Sequence, residues 1–375
     1  MACVAMGEVV RELRKARGWS QGRLASEIND AFGTTLTREY VSGWERGKVR
    51  PGPFYVRCLS TVLDVPPAVL DGETARQNPA GHGLPSGIAA ASVAPQLAAD
   101  LLTVGFTARL RGGPSPQEWE EKLTAYGADY MSQGAADIQR RAARDLMVVQ
   151  QQLDDDRMWS VAARLMTLYA TTFTWPDQTK AVAWFRMAAE AADRSGDVRT
   201  RVWTRGRAAL TLGYGGKGLG YANVLADQAM AISDKPSAGL LNATLGKAYA
   251  LALQGDKATA LDLADRARRV FDASGPSTQV SDYAVTHWRL NGFLSLLSAR
   301  LGDEDRAVRA QEAARRELPA SLPRFAAHLE MHTALMLTRS GDKTAGRAHA
   351  RATLAALPSE KHCSTLQMLM EEIKA

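Results

Sequence analysis

The dipeptide Gly-Asp occurs at 255–256, 302–303 and 341–342, each time between two amphipathic stretches. Glycine suits the left-handed position that closes a helix and aspartate caps the next, so each pair predicts a tight turn between antiparallel helices. Small residues recur in register around it. Ala248, Ser295 and Ala334 lie seven before each Gly, Ala260, Ala307 and Gly346 five after it, and Ala267, Ala314 and Thr353 twelve after it. Small side chains there let paired helices approach closely. Pro319 and Pro358, seventeen after the second and third Gly, end the second helix. Two degenerate units are expected upstream, where Ala181/Ala188 and Ala222/Ala229 keep the seven-residue interval. Gly196-Asp197 is out of register, because Arg201 falls where a small residue is needed, and reads as a turn between repeats.

The rest of the chain supports an all-α fold. No run of alternating β-branched residues is evident, and Ala, Leu, Arg and Gln dominate. Ser115-Pro116-Gln117-Glu118 is a capping box with proline at the first helical position, and Asp154-Asp155-Asp156 favours a helix start. Residues 72–95 are rich in glycine, proline and small polar residues, as linkers are. The expected organisation is a first domain over 1–71, a flexible linker over 72–95 and a helical-repeat domain over 96–375. No apolar stretch approaches the ~20 residues of a membrane span. Three dispersed cysteines without CxxC spacing argue for a reducing, cytoplasmic setting with no disulfide framework and no zinc site. A net charge of +6 suits a polyanionic partner without identifying one.

The first 71 residues carry the most specific signal. Residues 6–17 place Val9, Val10 and Leu13 on one face of a first helix, which Gly18 stops. Ser20 can cap a second helix that begins Gln21-Gly22-Arg23-Leu24-Ala25. After a longer turn, Thr37 can cap a third, in which Val41 and Trp44 pack inward and which Gly47 closes. Arg38, Glu39, Ser42 and Gly43 are left facing out near its N-terminal end, the part that a recognition helix offers to base edges.

SQGRLA, TREYVSGWERGK and PGPFYVRCLSTVLDVPPAVL resemble, in that order, the helix-turn-helix domains of phage repressors, Cro and their bacterial relatives. The resemblance implies a five-helix, repressor-like domain of the XRE family. It places Gln21 on a phosphate and Arg38, Glu39 and Gly43 at base-facing positions, with Thr37, Tyr40 and Ser42 completing the surface. Lys48 and Arg50, with Arg14, Lys15 and Arg17, are candidates for phosphate contacts. Two departures stand out: the turn between helices two and three is several residues longer than usual, and Gly43 removes one side-chain reader. The repeat spacing resembles the tetratricopeptide repeat, a 34-residue helix hairpin, with longer intervals here. Together the halves resemble the actinomycete regulators that join a Cro-type head to such repeats. In plan they are similar to peptide-sensing quorum-sensing regulators, which implies a homodimer on a palindromic operator and a peptide, small-molecule or protein effector. A DNA-tethered scaffold with a constitutive partner is the alternative.

The first helices of the repeats are expected to line a concave binding face. Its candidate residues are Asn242 and Tyr249 (with Leu245), Arg289 and Phe293 (with Leu296), and His328 (with Met331 and Leu335), extended by Arg201 and Arg205. Gly213 to Gly220 resembles a phosphate loop only superficially: Gly218 stands where a hydroxyl is needed, between helices rather than after a strand. His328 and His332 share a helix face, but no third metal ligand is identifiable. No catalytic constellation has support, so neither an enzyme nor a cofactor is expected.

Overall fold

The computed structural model describes residues 6, 7, 10, 11, 13–15, 17–63, 95–173 and 177–375. Every regular element among them is helical, and no helix among them is long and apolar enough to cross a membrane. The chain divides into two compact units, Met1–Ala98 and Ala99–Ala375. The expected linker and the fifth helix of the head lie outside the described residues, apart from Pro95, which opens a helix.

In the first unit, helical residues between 6 and 15 precede α1 (Gln21–Phe32), α2 (Arg38–Glu45) and α3 (Pro53–Val62). Ser20 caps α1 by accepting from Arg23 N, and Gly33 closes it in the left-handed conformation. Val10, Leu24, Ile28, Val41, Trp44 and Leu59 form the core. The long turn after α1 is held by Asn29. Its Oδ1 accepts from Leu36 N at 2.7 Å and Thr34 Oγ1 at 2.6 Å, and its Nδ2 donates to Leu36 O at 2.9 Å. The extra residues are therefore stapled, and Leu36 is delivered to the core.

First in the second unit come α4 (Pro95–Arg111, from Ala99 on), α5 (Pro116–Ser132) and α6 (Ala135–Gln150). Antiparallel pairs follow: α7 (Asp156–Thr171) with α8 (Gln178–Arg194), α9 (Val198–Gly215) with α10 (Leu219–Ile232), and α11 (Ala238–Gln254) with α12 (Lys257–Ser274). The pairs α13 (His287–Leu301) with α14 (Glu304–Glu317) and α15 (Pro323–Arg339) with α16 (Lys343–Ala356) complete the array, and α17 (Ser364–Lys374) packs on the last of them. All three Gly-Asp turns have the expected form. Gly255, Gly302 and Gly341 have φ of 93°, 74° and 107°, and Asp256, Asp303 and Asp342 accept from Thr259 N, Arg306 N and Ala345 N. Gly196-Asp197 joins α8 to α9, between two pairs. The Ser115–Glu118 capping box is complete, and Asp155 caps α7. Gly213 and Gly215 belong to α9, so the glycine-rich stretch reduces to a short turn through Gly216 and Gly218.

The tightest approach was not foreseen. α9 and α11 meet through Gly206 against Gly239 and Gly213 against Gly246, a seven-residue interval on both helices. A Cβ at Gly246 would lie 2.5 Å from Ala209 C and Leu210 N, inside hard-sphere contact with backbone that cannot yield. Gly246→Ala should therefore destabilise the helical unit by about 1–3 kcal/mol in urea denaturation. Gly220→Ala, in α10 with open space around it, should be neutral or slightly stabilising.

Candidate nucleic-acid interface and ligand cavity

Thr37 enters α2 in extended conformation, and its side chain bonds the Glu39 carboxylate, holding that acid below its usual range. With Val41 and Trp44 anchored in the core, Arg38, Glu39 and Tyr40 project to solvent, Tyr40 at 59% exposure. Ser42 is half-buried. Gly43 corrects the sequence expectation: it is buried, with Val49 Cγ2 about 4.0 Å from where its Cβ would be. Its carbonyl accepts from Lys48 N at 2.9 Å and Val49 N at 3.4 Å, because Gly47 (φ 67°) turns the chain back over the helix end. The exposed edge of α2 is therefore Arg38, Glu39 and Tyr40, followed by exposed Lys48 and Arg50.

Behind α2 lies a buried ionic cluster. Glu45, 3% exposed at its side chain, accepts from Arg14 Nε and Nη2 and from Gln21 Nε2 at 2.7 Å. Arg14 Nη1 also donates to Trp19 O at 2.6 Å. Arg14, a candidate phosphate ligand from sequence, is thus a core ion pair, and the Gln21 amide is turned to Glu45 rather than outward. Burial alone would raise the Glu45 carboxyl. The hydrogen bonds from Arg14 and Gln21 outweigh it and hold the acid below its usual range.

In the second unit, α5, α6, α9, α13, α15 and the start of α17 line a cavity of about 170 Å³. Its apolar walls include Trp288 against Phe325 (centroids 5.2 Å apart) and Phe293 against Tyr214 (6.2 Å). One polar wall is organised by Asp282, from the segment between α12 and α13, whose side chain is 0% exposed. Arg207 donates to it at 2.8 and 3.0 Å, and Arg289 at 2.6 Å. Arg289 Nη1 also donates to Ser281 O and Ala284 O, while its buried Nε has no protein partner. Burial would raise the Asp282 carboxyl, but the two guanidinium groups outweigh it and keep it ionised. Arg324 spans from α15 to the end of α5, donating to Tyr130 O, Met131 O and Gln133 O at 2.8–3.0 Å.

A thiol closes the far side. Cys363, at the N-cap of α17, lies 3.6 Å from His328 Nε2 and 3.1 Å from Thr365 Oγ1. The Tyr214 hydroxyl lies 3.2 Å from His328 Nδ1 and 3.4 Å from His332 Nε2. Burial, with His328 next, pushes His332 well below the ordinary histidine value, so it is neutral. Burial would push the Cys363 thiol up, but bonding to His328 and Thr365 outweighs it and brings it down to about 6. No group of three or more metal-ligating side chains occurs among the described residues.

Of the residues expected on a concave face, Arg289, Phe293 and His328 line this cavity. Asn242, Leu245 and Tyr249 are buried between helices instead, because the glycine contacts bring α9 hard against α11. Tyr249 donates its hydroxyl to Phe293 O at 2.5 Å. Arg201 and Arg205 pair with Asp193 on α8, at 2.9 and 2.6 Å, away from the cavity. Sequence reasoning missed Arg207, Asp282, Arg324 and Cys363. The available signal for Asp282 was the 47 residues from Gly255 to Gly302, against 39 to Gly341, since that excess holds the inserted segment.

The Helix-turn-helix family model matches residues 10–70. Those residues are a helix-turn-helix domain. No curated protein matches the chain. Among solved structures, Bacillus thuringiensis PlcR in complex with the peptide PapR7 and DNA is similar at 13% identity, with TM-score 0.36, covering 88% of this chain and 99% of that one. So distant a likeness assigns no residue. Within the helix-turn-helix domain, α1 and α2 are the paired helices.

Two outcomes follow from these geometries. Glu45→Gln should strand a buried guanidinium and cost about 3 kcal/mol at neutral pH, read as faster hydrogen exchange in α1 and α2. Because the native acid is depressed, its stabilisation holds above about pH 4.3 and fades as pH falls through the lower native value, so the penalty should shrink in acid. Cys363 should react with iodoacetamide with a half-maximal rate near pH 6, and His328→Ala should move that midpoint up, as peptide mass spectrometry would record.

Proposed function

We propose that the chain is a sequence-specific, DNA-binding transcriptional regulator whose helical unit takes up an effector in the cavity between α5, α9, α13 and α15. The observation that carries the DNA half is α2, a short helix fastened by Val41 and Trp44 and offering Arg38, Glu39 and Tyr40 at its free N-terminal end. In a major groove, Arg38 has the geometry for bidentate donation to guanine O6 and N7, and Glu39 can accept from cytosine N4. Lys48 and Arg50, beyond the helix, suit phosphates, which set register without reading sequence. One such head buries little surface, so tight binding at physiological salt calls for a homodimer on a palindromic site. A concave, apolar cavity with a cationic wall supports an effector, a peptide end or a small molecule, over a purely constitutive scaffold.

The test is selection of a duplex by the full chain, followed by affinities across single-base variants and salt concentrations. Arg38→Ala should cost about 1–3 kcal/mol and relax preference at one base pair. Lys48→Ala should weaken all variants alike and reduce the salt slope by about one. An even loss across variants for Arg38→Ala would refute α2 as the reader.

A further inference from the structure

We propose that the cavity of the helical unit recognises a small aromatic carboxylate, with the anion held by the arginine wall and the ring by Trp288, Phe293 and Phe325. This rests on the reading of the cavity as the effector site. Three arginines line the cavity and no aspartate, glutamate or lysine does. Behind the wall, Arg207 and Arg289 share the single carboxylate of Asp282, which leaves one positive charge over. Arg324 bonds only backbone carbonyls, and among the described residues no carboxylate lies within ion-pair distance of it. Two guanidinium charges thus face a partly desolvated, largely apolar space with no carboxylate to pair them, and the one acidic side chain of the lining, the Cys363 thiol, is engaged by His328 and Thr365. The buried Nε of Arg289 is a further donor without an acceptor. Guanidinium prefers planar, bidentate anions, which makes a carboxylate the natural complement.

Size and shape narrow the class. An apolar cavity of roughly 150 Å³ accepts a benzene ring, so about 170 Å³ suits one ring with a short substituent. Trp288 and Phe325 meet edge to face at 71°, and Phe293 lies across the cavity lining with them. Arg324 and Arg289 each sit over a neighbouring phenylalanine ring, at 5.2 and 5.6 Å, so charged and apolar walls adjoin. A ring carrying a carboxylate on a one-carbon arm meets both at once.

The full-length chain should be titrated by calorimetry near pH 7 with phenylacetate and with phenylacetamide, which share shape and differ in charge. The carboxylate should bind one site per chain, about tenfold or more tighter than the amide. Arg324→Gln should remove that preference by weakening the carboxylate alone, and Arg324→Lys, which keeps the charge, should restore part of it. The lysine variant also guards against a folding defect, since Arg324 ties α15 to α5. Equal affinity for the two compounds, or a preference unchanged in Arg324→Gln, would overturn anion recognition and leave an effector cavity standing. If neither compound binds while a metabolite extract of the producing cells raises the melting temperature, the ligand class is wrong and the effector reading survives. If neither binds and no extract shifts melting, both fail.

Discussion

Asp282 is a carboxylate with no exposed side-chain surface, and three parts of the helical unit are defined by what it holds. Its side chain joins Arg207 on α9 to Arg289 on α13, and its amide donates to Gly127 O on α5 at 2.9 Å. Helices far apart in sequence thereby share one charge centre. Two guanidinium groups offset the desolvation of one carboxylate, and their remaining bonds go to the Thr211 and Tyr130 hydroxyls and to the Ser281 and Ala284 carbonyls, so each member is satisfied except Arg289 Nε. Removing such a carboxylate would leave two buried cations facing each other, the arrangement that breaks ionic clusters most severely. The cavity inherits its positive wall from this centre. Its chemistry is therefore a by-product of how the helix pairs are tied together.

Around that centre, repetition supplies rigidity. Each Gly-Asp turn closes one helix with a left-handed glycine and opens the next with an aspartate cap, worth about 1 kcal/mol apiece. Alanines in register then let the paired helices lie close: Ala248, Ala260, Ala267, Ala307, Ala314 and Ala334 are all fully buried. Where two pairs meet at α9 and α11, even alanine is too large and glycine takes its place. Backbones in direct contact admit no sliding, which fixes α9 as one wall of the cavity.

The helix-turn-helix domain solves a related problem at smaller scale. Its α2 must be rigid yet present an exposed edge, and the Arg14–Glu45–Gln21 cluster with the Trp44–Tyr55 contact (5.3 Å) braces it from behind. Asn29 stiffens the long turn that would otherwise let α2 pivot. Polar residues that looked alike in the sequence are thus divided between those that brace α2 and those left exposed on it.

Local chemistry made much of the fold legible. Caps, left-handed glycines and small-residue register depend on neighbours within a turn or two, so the Gly-Asp turns, the Ser115 capping box and the helix-turn-helix order could be read from residues alone. So could the exposed positions of Arg38 and Glu39, since the inward face is set by Val41 and Trp44. Partner choice across long sequence separations could not. Arg14 and Arg38 are chemically alike, but only the folded chain brings Glu45 to one of them. Tyr249 and Phe293 carry the same repeat-based expectation, yet the α9–α11 glycine contact buries the first and leaves the second at the cavity. Asp282 sits 75 residues from Arg207 in an insertion that breaks the repeat. Periodicity determines which face of a helix is apolar; which charge meets which, and what space remains between them, is decided only when the helices pack.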